Sequence, residues 1–171
     1  HLLEANLQGH DSHGIMLLPR YVDHVRDGKL HPNVTPDVIR QDPSLALFDG
    51  RMGYGQLVGR TCMDWAIGAA AAHGHAVMGL RNVHHIGRVG TYGEQAAAAG
   101  MISVHFVNGV SGAPAVAPFG GSDGRLSTNP VCVTIPPARE GGQPLVLDFA
   151  TSAIALGKCR GPPSGQLLLA L

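Results

Sequence analysis

The chain holds 171 residues, enough for one domain with a real core or for a piece of something larger. Its 12 basic and 12 acidic side chains cancel, so no charge excess points to nucleic acid or a membrane surface, which call for a basic patch. A hydrophobic share of 44% excludes wholesale disorder, and 24 glycines with 10 histidines suit tight turns around a ligand.

Leu2, Leu3, Asn6 and Leu7 make a weak helical pattern that stops at Gly9. The first residue is His1 rather than Met, so the natural start is expected to be missing. After Gly9-His10-Asp11-Ser12-His13-Gly14, either Asp11 or Ser12 is placed to cap a helix running through Ile15, Leu18, Tyr21, Val22 and Val25 to Gly28. Pro19 fits badly in mid-helix, which predicts a late start or a kink. His13 would then lie near the positive end of that helix. Residues 29–43, rich in proline, read as a surface connection with a short edge strand at Val38-Ile39.

Leu45 to Asp49 reads as a strand ended by Gly50, and Gly53-Tyr54-Gly55 as a turn. A helix is predicted from Gln56 to His73, with Val58, Cys62, Trp65, Ala69 and Ala72 on one stripe and Gly74 as its C-cap. A strand over Ala76–Val83 leads into Arg81-Asn82-Val83-His84-His85-Ile86-Gly87-Arg88-Val89-Gly90, then a helix to Ala99 and a strand from Ile102 to Val107. That order is the strand–helix–strand signal of a mixed or parallel sheet. Residues 109–125 look like an ordered functional loop. Strands follow at Val131–Ile135 and Leu145–Phe149, joined by a turn over Pro136–Gln143. Ala150-Thr151-Ser152 is placed to start another helix through Ile154 and Leu156, and after Lys158 the pattern is lost. The expected fold class is α/β, a mixed sheet with flanking helices.

Cys62, Cys132 and Cys159 are odd in number and widely spaced, which fits a reducing cytoplasm better than a disulfide framework. No apolar run is long enough for a membrane span. At the strand-to-helix crossing, unpaired backbone N–H groups favour an anion, and the adjacent His84 and His85 supply groups that move protons near neutral pH. Adjacent side chains point apart, so the pair is a poor metal clamp and no metal is expected; the plainer reading has one ring packed and the other in solvent. His13 beside Ser12 reads either as a capping turn or as a general acid/base oriented by the hydroxyl. Ser127-Thr128-Asn129-Pro130 and Asp148-Phe149-Ala150-Thr151-Ser152, taken alone, are turns and caps. No glycine fingerprint of the ordinary dinucleotide fold is present. The residues by themselves describe a histidine-rich, glycine-lined cleft and name no reaction.

Taken together and in order, several stretches resemble the type-2 malate/L-lactate dehydrogenase family. They are Asp11-Ser12-His13-Gly14, Pro19-Arg20-Tyr21, Asn82 to Gly87, Ala115 to Gly121, Thr128-Asn129-Pro130 and Asp148 to Ser152. The wording of His84 to Arg88 and of Ala150 to Lys158 is most similar to the hydroxycarboxylate dehydrogenase branch. The resemblance implies hydride transfer between NAD or NADP and a small 2-oxo/2-hydroxy acid. It also implies a non-Rossmann NAD(P)-binding fold and a homodimer in the full-length form. It makes His85, His13 and Ser12 catalytic candidates, without deciding which histidine donates the proton. His85, Ile86, Gly87, Arg88, Val89, Thr128, Asp148, Phe149 and Ala150 become candidate cofactor contacts, and His13 and Arg20 substrate contacts.

The resemblance further implies a division into residues 1–43, part of a substrate and dimer domain, and residues 44–158, part of a cofactor-binding α/β domain. Residues 159–171, which do not resemble the family, are expected to be an aberrant or truncated tail. Leu17 stands where many members carry the arginine that holds the substrate carboxylate, which leaves Arg20 or Arg88 for that task. Lys158 favours the hydroxy-acid branch over cyclic-imine (piperidine-2-carboxylate type) reduction. A non-catalytic α/β ligand-binding domain is the other alternative. At about half the family's length, the chain is expected to be a fragment that folds weakly and is inactive alone.

Overall fold

The computed structural model describes residues 1–109, 114–139 and 141–152. The helix expected through Ile154 and Leu156, together with Lys158, Cys159 and the tail, lies outside the described residues.

Helix α1 (Leu2–Leu7) is followed by two short 3-10 turns, Asp11–His13 and Ile15–Leu17, and then by α2 (Leu18–Arg26). Of the two alternatives at Pro19, the late start is the one observed. Proline occupies the first turn of α2, where its missing N–H would have had no partner anyway. Capping by Asp11 or Ser12 does not occur. Asn6 takes that part instead: its side-chain oxygen accepts from the Ile15 N–H at 2.8 Å and its amide donates to Asp11. His13 accordingly sits in the 3-10 turn, a turn and a half ahead of α2, and not at that helix's positive end.

Strands β1 (Asp37–Gln41), β2 (Leu45–Asp49) and β3 (Val77–Arg81) form the first sheet, in that order. β1 is the exposed edge, antiparallel to β2; β2 runs parallel to β3. The crossover between β2 and β3 is α3 (Gly55–His73), ended at Gly74 in the left-handed conformation with φ +82°. Val58 and Cys62 of α3 pack on Ala46 and Phe48 of β2, with Trp65, Met78, Leu80 and Val83 around them. Only the first half of the predicted stripe meets the sheet, since Ala69 is half-buried and Ala72 exposed.

Helix α4 (Gly90–Ala98) follows, then β4 (Ser103–Phe106), β5 (Val131–Ile135) and β6 (Leu145–Phe149). These three strands make a second, wholly antiparallel sheet. The α/β class therefore holds, but the strand–helix–strand unit read around α4 does not: β3 and β4 belong to different sheets. The parallel unit is β2–α3–β3, because β4 finds its ladder in the later hairpin of β5 and β6. α4 bridges the two layers, with Tyr92 and Ala96 packed against Met63 of α3 and also against Met78, Ile86 and Met101. Among the described residues no helix is long and apolar enough to cross a membrane.

Candidate active site

The site forms where α2, the 3-10 turn before it and the His84–Gly87 segment after β3 converge on the start of α3. Gly55 opens α3, and a Cβ there would collide with the backbone of His84 and His85. The missing side chain thus lets the helix start press directly on the histidine segment. Tyr92 fastens the same segment from α4 by donating its hydroxyl to the Ile86 carbonyl at 2.5 Å.

The two histidines go opposite ways. His84 is buried at 8% exposure and its Nε2 meets Nδ1 of His24 at 2.7 Å. His85 keeps a face in solvent, and its Nδ1 lies 2.6 Å from the Tyr21 hydroxyl. Gln56 donates its amide to the same hydroxyl at 2.7 Å. Across 72 positions of sequence, His13 stacks on His85 with ring centroids 5.6 Å apart and planes 23° apart. Ser12 Oγ lies 3.1 Å from His13 Nδ1. The catalytic candidates His85, His13 and Ser12 are therefore brought together, as one stacked pair with its hydroxyl. At that spacing no substrate fits between the rings, so a ligand meets both from the same side.

Electrostatics hold these rings neutral. Burial first, then His24 and Arg20, lower the His84 pKa to about 4. His85 is lowered too, by the dense protein around it and then by His13, His84 and Arg20. His13 is lowered by burial and by His10, against an opposing pull from Asp148. Tyr21 is raised by burial, so it keeps its proton at neutral pH. Arg20 is exposed, and among the described residues it has no carboxylate partner. Its charge reaches His84, His85 and Tyr21, which makes this the place where an anion would be welcome.

The crossing itself is not the open anion cradle expected. The Gly90 N–H at the start of α4 donates to Asp148 Oδ2 at 2.7 Å, and the Arg88 N–H donates to His1 Nε2 at 3.2 Å. The Arg88 side chain, 5% exposed, is paired with Glu94, so it does not stand free as a carboxylate fork. Val89 is core at 4% exposure. Gly87, in the left-handed region at φ +75°, turns the chain under His1. Among the expected cofactor contacts, the ones with room for a ligand lie elsewhere. Phe149 is exposed, and Ile86, Thr128 and Ala150 are half-buried. The Thr128 carbonyl accepts from the Thr151 N–H at 2.9 Å, which ties the start of β5 to the end of β6. The charge of Asp148 reaches His13, so this strand end lies within electrostatic range of the histidine pair.

Sequence reasoning missed Tyr21, Gln56 and His24 as parts of the site. A signal existed: Tyr21 and His24, three apart on α2, share one helix face. Reading Tyr21 as one more apolar position hid it.

The malate/L-lactate dehydrogenase family model matches residues 1–161. Hydroxycarboxylate dehydrogenase B of Escherichia coli K12 is 48% identical over 160 residues, covering 94% of this chain and 44% of that protein. L-lactate dehydrogenase of Cupriavidus necator is 44% identical over 160 residues, covering 94% and 46% respectively. The solved malate dehydrogenase of Pyrococcus horikoshii superposes with a TM-score of 0.83 at 41% identity, over 92% of this chain and 43% of that one. The chain thus spans less than half the length of these relatives.

Proposed function

The chain belongs to the malate/L-lactate dehydrogenase family, and from that premise we propose that it carries the proton-transfer half of an NAD(P)-dependent 2-hydroxycarboxylate dehydrogenase. The observation that carries the reading is the stacked His13–His85 pair, with His85 Nδ1 held by Tyr21 and with Arg20, which has no carboxylate partner among the described residues, acting on the same ring.

A nicotinamide, NAD or NADP, supplies or takes the hydride at the substrate carbon. The residues that suit it are Thr128, Phe149 and Ala150 with the Ile86–Gly87 backbone, at the strand end within electrostatic range of His13. Arg88 and Val89 serve that lining from within, as core, and Asp148 as the cap of α4. The chain's own part is to bind the acid and move one proton. Arg20 attracts the carboxylate of a 2-oxo acid. That negative charge offsets the repulsion from Arg20 and raises the depressed His85, so the ring gains a proton only when substrate is present. His85 then delivers the proton to the oxygen that becomes the hydroxyl, with His13 and Ser12 as its neighbours. In the reverse direction the neutral ring takes the proton back. The two histidines do not both charge, since each lowers the other's affinity for a proton. Buried free thiols at Cys62 and Cys132 support a cytoplasmic setting, and a homodimer is the proposed full-length form.

The test is oxidation of NADH and NADPH by the chain in its full-length context, against a panel of 2-oxo acids and a cyclic imine. His85→Ala and His13→Ala are run beside it. Loss of at least about 10²-fold in turnover is expected for a missing acid/base. Turnover that survives both substitutions sinks the assignment, and activity confined to the imine moves the reading to reduction of C=N.

A further inference from the structure

We propose that Tyr21 is a positioning residue for His85: its hydroxyl, aimed by Gln56, decides which ring nitrogen carries the proton and keeps hold of the ring in both charge states. The proposal rests on the dehydrogenase reading for its kinetic consequence, whereas the position of the proton is a property of this chain alone.

The geometry leaves little freedom. The Gln56 amide donates to the Tyr21 oxygen at 2.7 Å, so one lone pair of that oxygen is taken. Tyr21 keeps its own hydrogen at neutral pH because its ring is buried, at 4% exposure. Among the described residues the other partner of that hydroxyl is His85 Nδ1, at 2.6 Å. The hydroxyl therefore donates to Nδ1, and the neutral ring carries its hydrogen on Nε2. Among the described residues Nε2 has no hydrogen-bond partner, which leaves it as the nitrogen to meet a substrate oxygen.

A phenol suits this place because it donates and accepts. When His85 gains a second proton, Nδ1 becomes a donor; the tyrosine hydrogen rotates away and its oxygen accepts. The contact survives the change of charge, as it would not with a group that only donates or only accepts. Gln56 biases the resting neutral ring toward the form with hydrogen on Nε2; the ring that has just given that hydrogen up keeps the one on Nδ1, held by the Tyr21 oxygen, and in that form Nε2 takes a proton back. The other groups facing the ring are His13, His84 and Arg20. All of them disfavour its charge, and none offers an acceptor to Nδ1.

Gln56→Glu reverses the aim. A carboxylate has no hydrogen to donate, so Tyr21 donates to it and its oxygen accepts from His85 Nδ1–H. The tautomer should flip. Tyr21→Phe keeps the ring's volume and removes both functions of the hydroxyl. The experiment is 15N NMR of histidine-labelled chain above the His85 pKa, with His85→Gln assigning the signals by their loss.

The wild-type chain should show the Nε2–H form and Gln56→Glu the Nδ1–H form. Tyr21→Phe should show a mixture that adding Gln56→Glu does not change, because Gln56 acts only through Tyr21. An unaltered tautomer in Gln56→Glu overturns the proposal, and so does a wild-type spectrum in Tyr21→Phe or a Gln56→Glu effect that persists without the hydroxyl. In turnover, Tyr21→Phe should lower kcat by about 10–100-fold, as losses of histidine-orienting partners do, with KM little changed and the pH profile displaced. If the NMR results hold while kcat and its pH profile stay put, the acid/base role of His85 falls and the positioning of its ring stands.

Discussion

The two sheets have the same size and opposite surroundings. The first, β1–β2–β3, is packed by α3 and runs at the end of β3 into the histidine segment, where each imidazole meets a side chain of α2. The second, β4–β5–β6, has α4 on one face, over Cys132 and Thr134, and nothing on the other among the described residues. On that open face Val104, Val133 and Leu147 stand in register, as do Phe106, Val131 and Phe149. Phe106 is 81% exposed and Leu145 60%. What separates the regions is not composition but company: an apolar side chain stabilises by what it removes from water, and a histidine is tuned by what surrounds it.

The largest effect expected from breaking this contrast is on pH. His84 is neutral in the fold, with a pKa near 4 against 6.5 when exposed, so between those values the unfolded chain binds more protons. Its contribution is fully present above pH 6.5 and is lost as pH falls through about 4. The full loss is on the order of 3 kcal/mol, at about 1.4 kcal/mol per unit of displacement. Urea denaturation across that window should show the midpoint falling with acid, and His84→Gln should flatten the slope. A slope unchanged in His84→Gln removes His84 as the cause.

Next comes the covered face of the second sheet. A Cβ at Gly93 of α4 would run into the Thr134 side chain, which is wholly buried on β5. Alanine normally favours a helix over glycine by about 1 kcal/mol. Here the overpacking should win, so Gly93→Ala should destabilise by about 1–3 kcal/mol, read as a lower Tm. A raised Tm would mean that the helix and sheet are not in this contact.

The link between the regions is smaller in effect. Asp148 of β6 caps the N-terminus of α4 through Gly90, and Asp148→Ala should cost about 1 kcal/mol in thermal unfolding. It should also lower the His13 pKa further, by removing the one charge that raises it, which NMR titration would show.

The smallest effect belongs to the open face. Val104 is 54% exposed, and Val104→Thr should change the stability of the chain by no more than about 0.5 kcal/mol. A larger loss would show that the face is covered in solution.

Much of this was legible in the chain itself. Hydrophobic spacing located α3 and five of the six strands nearly to the residue, and Gly74 marked where α3 stops. Motif order singled out His13 and His85 as candidates from ten histidines, and the fold stacks those two rings. What stayed hidden was pairing. Nothing local says that β4 leaves the first sheet, because strand partners are chosen by contacts far apart in sequence. Nor does local pattern say that the helix start at Gly90 is already capped from β6, 58 positions away. Tyr21 was hidden for a related reason, since a tyrosine on an apolar stripe looks like core until its hydroxyl is seen against an imidazole.

Periodicity, glycine placement and the residue types at the crossing were therefore determined by the sequence, because each depends on neighbours within a turn or a strand. Only the tertiary structure decided which histidine faces solvent, what orients it, that Arg20 has no carboxylate partner among the described residues and which sheet face is left bare among them. Those are properties of distance and burial, set when segments some sixty residues apart meet, as Tyr21 and His85 do.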